Sequence, residues 1–171
     1  MPTAVSAAAP PRSAAATHGG RGFQLAGMVR RGRGCHAWRV ALWCLIVDDN
    51  AGFLDAARTL LECQDVAVAG VASSGADALR LSGELRPDVA LVDIDLGDED
   101  GFEVARRLAD PVAGRPAPII LISTYAESDF ADLIAESPAV GFLAKSELSG
   151  QAIDALLRRS DGQAASATPG R

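Results

Sequence analysis

Between residues 42 and 159 the chain alternates two apolar rhythms. Short runs are apolar at nearly every position: "LWCLIV" (42–47), "VAVAGVA" (66–72), "DVALVD" (88–93), "APIILI" (117–122) and "AVGFLA" (139–144). After each run the apolar residues recur every third or fourth position. Phe53, Leu54, Ala57, Leu60 and Leu61 follow the first run, and the stretch "SSGADALRLSGELR" follows the second. Val104, Ala105, Leu108 and Ala109 follow the third, Phe130, Leu133 and Ile134 the fourth, and Ala152, Ile153, Leu156 and Leu157 the fifth. The first rhythm is that of strands buried on both faces, and the second is one face of a helix. Ser73 or Ser74 is set to cap the second helix and Pro87 to stop it. Five strand–helix units in succession predict an α/β fold, a doubly wound five-stranded parallel sheet in a (βα)5 three-layer sandwich.

The polar residues that interrupt this pattern fall at the carboxyl ends of the strands, where open parallel sheets bind ligands. Asp48 and Asp49 follow the first strand, Asp93 closes the third, Ser123 and Thr124 follow the fourth, and Lys145 follows the fifth. Three carboxylates against one ammonium repel one another unless a cation joins them. Mg²⁺ suits a site of few carboxylates plus water and phosphate. With the ion present the charge is near zero and a phosphoryl group is admitted, so Asp93 is a candidate carboxylate nucleophile for an aspartyl-phosphate. The glycine-containing "GVASSGADA" (70–78) lacks the spacing of a phosphate loop and reads as a helix cap.

Composition narrows this further. The 171 residues carry a net charge of −6, unevenly spread. Residues 1–41 hold six arginines and no acid, whereas residues 42–171 hold all 22 acids against ten basic residues. An acidic body excludes nucleic acid as its ligand, so no direct DNA binding is expected. Cys35, Cys44 and Cys63 have no CxxC spacing and read as reduced thiols, Cys44 and Cys63 in the core. The longest apolar run is too short to span a membrane, so a cytoplasmic location without a membrane partner is expected. Residues 1–41, rich in Ala, Gly, Pro, Ser and Arg, read as a disordered basic tail. The other readings are a misplaced start, with Met28 or the stretch Val40–Leu42 as the true one, a transit peptide, a nucleic-acid-binding arm or a twin-arginine signal at Arg30 and Arg31. His18 and His36 fall in or near this tail and are assigned no chemistry. Residues 42–159 form the predicted domain, and 160–171 read as a flexible tail.

In order and spacing, "LIVDDN", "PDVALVDIDLGDEDGFEVARRL", "IILIS" and "GFLAKSEL" together resemble the receiver domain of bacterial two-component response regulators, similar to those that precede helix-turn-helix output domains. The resemblance covers residues 42–159 and implies a flavodoxin-like fold. It implies Asp93 as phosphoacceptor, Asp49 as direct Mg²⁺ ligand, Asp48 as a ligand through water, and the backbone carbonyl of Asp95 as a further ligand. It implies that Lys145 pairs with the phosphoryl oxygen and that Ser123 and Phe142 form a switch. The helix beginning near Asn50 to Leu54 would dock a histidine kinase or phosphotransfer domain. The fourth helix, fifth strand and fifth helix, where Leu133 and Phe142 lie, would meet a partner protein or a second copy of the chain.

The sequence departs from the family pattern in places. Leu96 and Gly97 stand where Met-Pro is common, and Gly97 is expected to loosen its loop. Ser146 follows the lysine where proline is common, and Thr124 replaces a common alanine and would narrow the site. Tyr125 and Asp95 flank the pocket and would tune phosphate loss. The expected activity is a single-domain response regulator, not an enzyme with a separate substrate. The alternatives are a haloacid dehalogenase-like phosphatase using Asp93 and Asp95 as an Asp-x-Asp pair, or a pseudo-receiver that binds without phosphorylation.

Overall fold

The computed structural model describes residues 42–110 and 116–166, with side chains described to residue 162. The readings given for residues 1–41, and with them Cys35, His18 and His36, lie outside the described residues. The sheet contains β1 (Leu42–Val47), β2 (Val66–Ala72), β3 (Val89–Asp93), β4 (Ile119–Ser123) and β5 (Gly141–Ala144). All pairings are parallel and the strand order is β2-β1-β3-β4-β5. The helices are α1 (Ala51–Glu62), α2 (Gly75–Leu85), α3 (Gly101–Leu108), α4 (Ala131–Glu136) and α5 (Gly150–Ser166).

Within each near-continuous apolar strand, alternate side chains serve opposite faces of the sheet. Leu45, Val47, Ala90, Val92, Ile119, Leu121 and Phe142 pack in one cluster with residues of α2 and α3. Cys44, Ile46, Val89, Leu91, Ile120 and Ile122 pack in another with Leu54, Ala57 and Leu61 of α1 and Ile153 of α5. Each such buried aliphatic side chain contributes about 1.5–3 kcal/mol relative to exposure. Chain order reverses between β1 and β3, so the loops leaving them part and open a crevice at their carboxyl ends.

The helix starts follow the sequence. Asn50 Oδ1 accepts the Phe53 N–H at 3.0 Å and Asp100 Oδ1 accepts the Phe102 N–H at 2.8 Å. Ser74, not Ser73, caps α2, accepting the Asp77 N–H at 3.3 Å. Gly101 lets α3 begin directly against β3, because a Cβ there would overlap the Asp93 carbonyl oxygen.

Four details depart from the pattern. Leu60 lies at helical spacing but is 40% exposed. Cys63, expected in the core, caps the end of α1 and is exposed, since the last buried position of that helix is Leu61. The fourth helix is only six residues long, because Pro138 drives Ser137 into extended backbone and ends it. The fifth helix continues past Arg159 to Ser166, where a flexible tail was expected from 160. Once tertiary packing has fixed its first turns, each added residue gains one hydrogen bond without a new nucleation cost, and Ala164 and Ala165 are strong helix formers.

Candidate functional site at the carboxyl ends of β1, β3 and β5

Asp48 leaves β1 fully buried, with its backbone N–H on the Ala72 carbonyl of β2 at 3.0 Å. Its Oδ1 accepts the N–H of Asn50 at 2.9 Å, so the turn into α1 fixes the carboxylate. Asp93 ends β3 and is 4% exposed, while Asp49 is exposed. Oxygens of Asp48, Asp49 and Asp93 all lie within 4.8 Å of one another.

Lys145, just beyond β5, reaches into this group. Its Nζ stands 2.6 Å from Asp48 Oδ2 and donates to Asp93 Oδ2 at 2.8 Å. The approach to Asp48 is close enough for an ion pair but misaligned for a hydrogen bond. Asp48 Oδ2 therefore has no hydrogen-bond partner among the described residues, although it is buried. Hard carboxylate oxygens gathered this closely fit a divalent cation such as Mg²⁺. Asp48, Asp49 and Asp93 are the residues that would hold it.

The electrostatics reflect this crowding. Burial raises the Asp93 carboxyl above its ordinary value, the hydrogen bond from Lys145 opposes that, and the charge of Asp48 adds to it, leaving a net upward shift. For Lys145, burial works against the charge, but the close carboxylates of Asp48 and Asp93 outweigh it and raise the amine above its usual value. Lys145 thus stays cationic between two carboxylates. Elsewhere, burial pushes the Cys44 thiol up to about 12, which makes it an inert core group.

The remaining candidates take up distinct places. Ser123 is 1% exposed at the end of β4, and its Oγ accepts the Tyr125 N–H at 3.1 Å. Phe142 is 8% exposed in β5, beside its register partner Leu121. The Asp95 side chain is exposed, whereas its backbone hydrogen-bonds to the Asp93 carboxylate and steadies the charge. Thr124 and Tyr125 are exposed, and the Tyr125 ring meets Phe130 edge-on at 6.2 Å between centroids. The loop after Asp93 is pinned where loosening was expected. Residues Asp95–Leu96 pair antiparallel with Glu99–Asp100, Leu96 is buried, and Gly97 supplies the turn at φ +64°.

Two residues of the neighbourhood carry no signal of their own in the sequence. The ring of Phe53 lies 4.5 Å from Lys145 Nζ, a cation–π contact across 92 positions. Glu99 joins the Asp93 loop to α2. Helical periodicity marks Phe53 only as a core residue, and nothing marks Glu99.

The comparisons with known proteins agree with this arrangement. The model of the response regulator receiver domain matches residues 44–157. The transcriptional regulatory protein LiaR of Bacillus subtilis is 32% identical over 124 residues, covering 70% of this chain and 56% of that protein. The transcription regulator BvgA of Bordetella pertussis is 32% identical over 111 residues, covering 65% of this chain and 52% of its own length. The chain thus spans about half the length of the curated relatives it matches. Among solved structures, a LuxR-family response regulator from an Aurantimonas species superposes with TM-score 0.61 at 28% identity, covering 69% of this chain and 86% of that one. A Burkholderia pseudomallei response regulator, solved with a phosphorylated aspartic acid, a calcium ion and citrate, superposes with TM-score 0.59 at 29% identity, covering 74% and 73% of the two chains. No feature of the site favours the phosphatase alternative, since the Asp-x-Asp pair starts at the end of the third strand and Asp95 turns its side chain to solvent. An acidic pair at the end of β1, buried at Asp48 and exposed at Asp49, an aspartate at the end of β3 and a lysine after β5 lie within the matched residues 44–157, and this chain belongs to the response regulator receiver family.

Proposed function

We propose that Asp93 is the phosphoacceptor of a two-component relay. A carboxylate oxygen of Asp93 attacks the phosphorus of a phosphohistidine on a histidine kinase or phosphotransfer domain. The O–P bond forms as the P–N bond breaks, and the electron pair returns to the imidazole. Asp48, Asp49, Asp93 and the carbonyl of Asp95 would hold Mg²⁺, which, when bound, supplies positive charge for the phosphoryl oxygens. Lys145 holds Asp93 in place beforehand and remains as a cation for the phosphoryl group.

The observation that carries this reading is the position of Lys145 Nζ, 2.6 Å from Asp48 and 2.8 Å from Asp93, beside three carboxylates within 4.8 Å of one another. Phosphoryl transfer needs positioning and charge neutralisation more than it needs covalent machinery, and both are built into this group. Ser123 and Phe142 are the proposed switch: Ser123 exchanges its Tyr125 contact for the phosphoryl group, and Phe142 repacks in response. The two surface states are then populated differently before and after phosphorylation. The proposed readout face is α4, β5 and α5, meeting a partner protein or a second copy of the chain, in the cytoplasm.

The test is incubation with a small acyl phosphate and Mg²⁺, followed by intact mass. A gain of one phosphoryl group that is absent in Asp93→Asn supports the assignment. A gain that persists in Asp93→Asn overturns it. Failure of the unaltered chain to bind Mg²⁺ favours the pseudo-receiver reading instead.

A further inference from the structure

The hairpin after Asp93 lies against the site on one side and is tied to α2 on the other. On its site side, Gly97 lies so close to Asp49 that a Cβ there would stand 3.2 Å from Asp49 Oδ2. On its far side, Glu99 Oε1 accepts the backbone N–H of Gly75 at 2.9 Å. Gly75 is the first residue of α2, and its N–H is one of the donors that a helix start leaves without an intrahelical partner. Ser74 satisfies the N–H of Asp77 in the same turn, so Glu99 supplies from a distant loop what the local sequence does not. Gly75 is buried, and a Cβ on it would overlap Glu99 Oε2, so glycine at this position is what lets the carboxylate seat. The other oxygen faces Arg107 of α3 at 3.8 Å, but both side chains are more than a third exposed, so this ion pair adds little. The hydrogen bond to α2 is the tether.

We infer that Glu99 is a positioning residue for the Asp93 site. It ties the hairpin to α2 so that Gly97, Asp49 and the Asp95 carbonyl are already in register before an ion or phosphoryl group arrives. This inference rests on the function proposed above. Only Asp98 separates Gly97 from Glu99 along the chain, so a shift of Glu99 is carried to Gly97 beside Asp49. A loop held by its own contacts has met its ordering cost on folding, whereas a free loop meets that cost on binding and loses affinity by the same amount. Because coupling is reciprocal, occupation of the site must also tighten the Glu99–Gly75 contact, which links α2 to the state of Asp93.

The test compares the full chain with Glu99→Ala, Glu99→Gln and Arg107→Ala. Mg²⁺ affinity is measured by titration calorimetry, Gly75 amide exchange by NMR, and phosphoryl uptake from an acyl phosphate by intact mass. In Glu99→Ala the Mg²⁺ Kd is expected to rise about five-fold and the Gly75 amide to exchange faster. Phosphoryl uptake slows at low Mg²⁺ and recovers at saturating Mg²⁺. Glu99→Gln, whose amide oxygen accepts the same N–H, restores the affinity, and Arg107→Ala leaves it within about two-fold. Wild-type Mg²⁺ affinity in Glu99→Ala, with faster Gly75 exchange, overturns the inference, because the tether is then broken without consequence for the site. If the unaltered chain neither binds Mg²⁺ nor takes phosphate, the site reading fails and this inference with it, an outcome read from the unaltered chain alone.

Discussion

Two regions of this molecule invert the ordinary sorting of side chains, in opposite directions. At the carboxyl ends of β1 and β3, Asp48 and Asp93 are buried, at 0% and 4% exposure, with one lysine between them. Between β4 and β5, Tyr125 and Leu133 stand 55% and 46% exposed, and no residue of α4 is buried. One region keeps from water what water would solvate, and the other leaves in water what a core would accept. Both arrangements forgo stability. Under the proposed function the rim does so because a carboxylate kept poorly solvated is better placed to bind a cation and attack phosphorus than a solvated one. The α4 segment does so because Pro138 cuts the helix to six residues, too few to lay a long apolar stripe on the sheet.

The comparison can be broken most sharply at Asp93. If the rim is a phosphoryl site, Asp93→Asn loses all phosphoryl gain by intact mass while the fold is retained by circular dichroism. Lys145→Ala should come next in size. It leaves two buried carboxylates without their cation and lowers metal-free stability at neutral pH by about 3–5 kcal/mol in urea unfolding. An effect under 1 kcal/mol would mean that the rim is wetter than its geometry implies. Mg²⁺ should act in the opposite direction. At about 100 times its Kd it stabilises the chain by about 2.7 kcal/mol, and Asp49→Asn should remove most of that gain in thermal unfolding.

The raised Asp93 carboxyl fixes the sign of a pH effect. Between the ordinary carboxylate value and the raised folded value, the unfolded chain has released this proton while the folded chain still holds it. Stability of the metal-free protein should therefore fall as pH rises through that window, because the folded state binds more protons than the unfolded state. The slope difference between the unaltered chain and Asp93→Asn isolates this group from other carboxyls. An equal slope in both would remove the claim of crowding. The smallest effect belongs to the other region. Leu133→Ser should change stability by less than about 0.5 kcal/mol and leave phosphoryl uptake unaltered. A larger loss would mean that α4 is packed more tightly than its exposure indicates.

Sequence reading went far along the strands and less far between them. The five apolar runs, a serine cap at Ser73 or Ser74 and the stop at Pro87 are local signals, and the runs, the cap at Ser74 and the stop appear in the folded chain. Asp48, Asp93 and Lys145 could be singled out because each breaks an apolar run at its carboxyl end, and strand ends share one rim in a parallel sheet. Cys63 and Leu60 misled because helical spacing marks a face, while only packing decides how far around the helix that face is buried. The glycine at 97 invited a reading of looseness. Its positive φ instead closes a hairpin whose second strand begins two residues later.

The sequence by itself determined the element order, the parallel sheet and the candidate rim, because periodicity and strand-end polarity are properties of the chain in one dimension. Tertiary structure alone decided which contacts make the rim a site. It set Lys145 Nζ between Asp48 and Asp93, laid Phe53 beneath that ammonium and seated Glu99 on α2. These pairs stand 24 to 97 positions apart along the chain. A contact of that kind depends on where two strands or a strand and a helix come to rest in the packed sheet, and no local propensity encodes it.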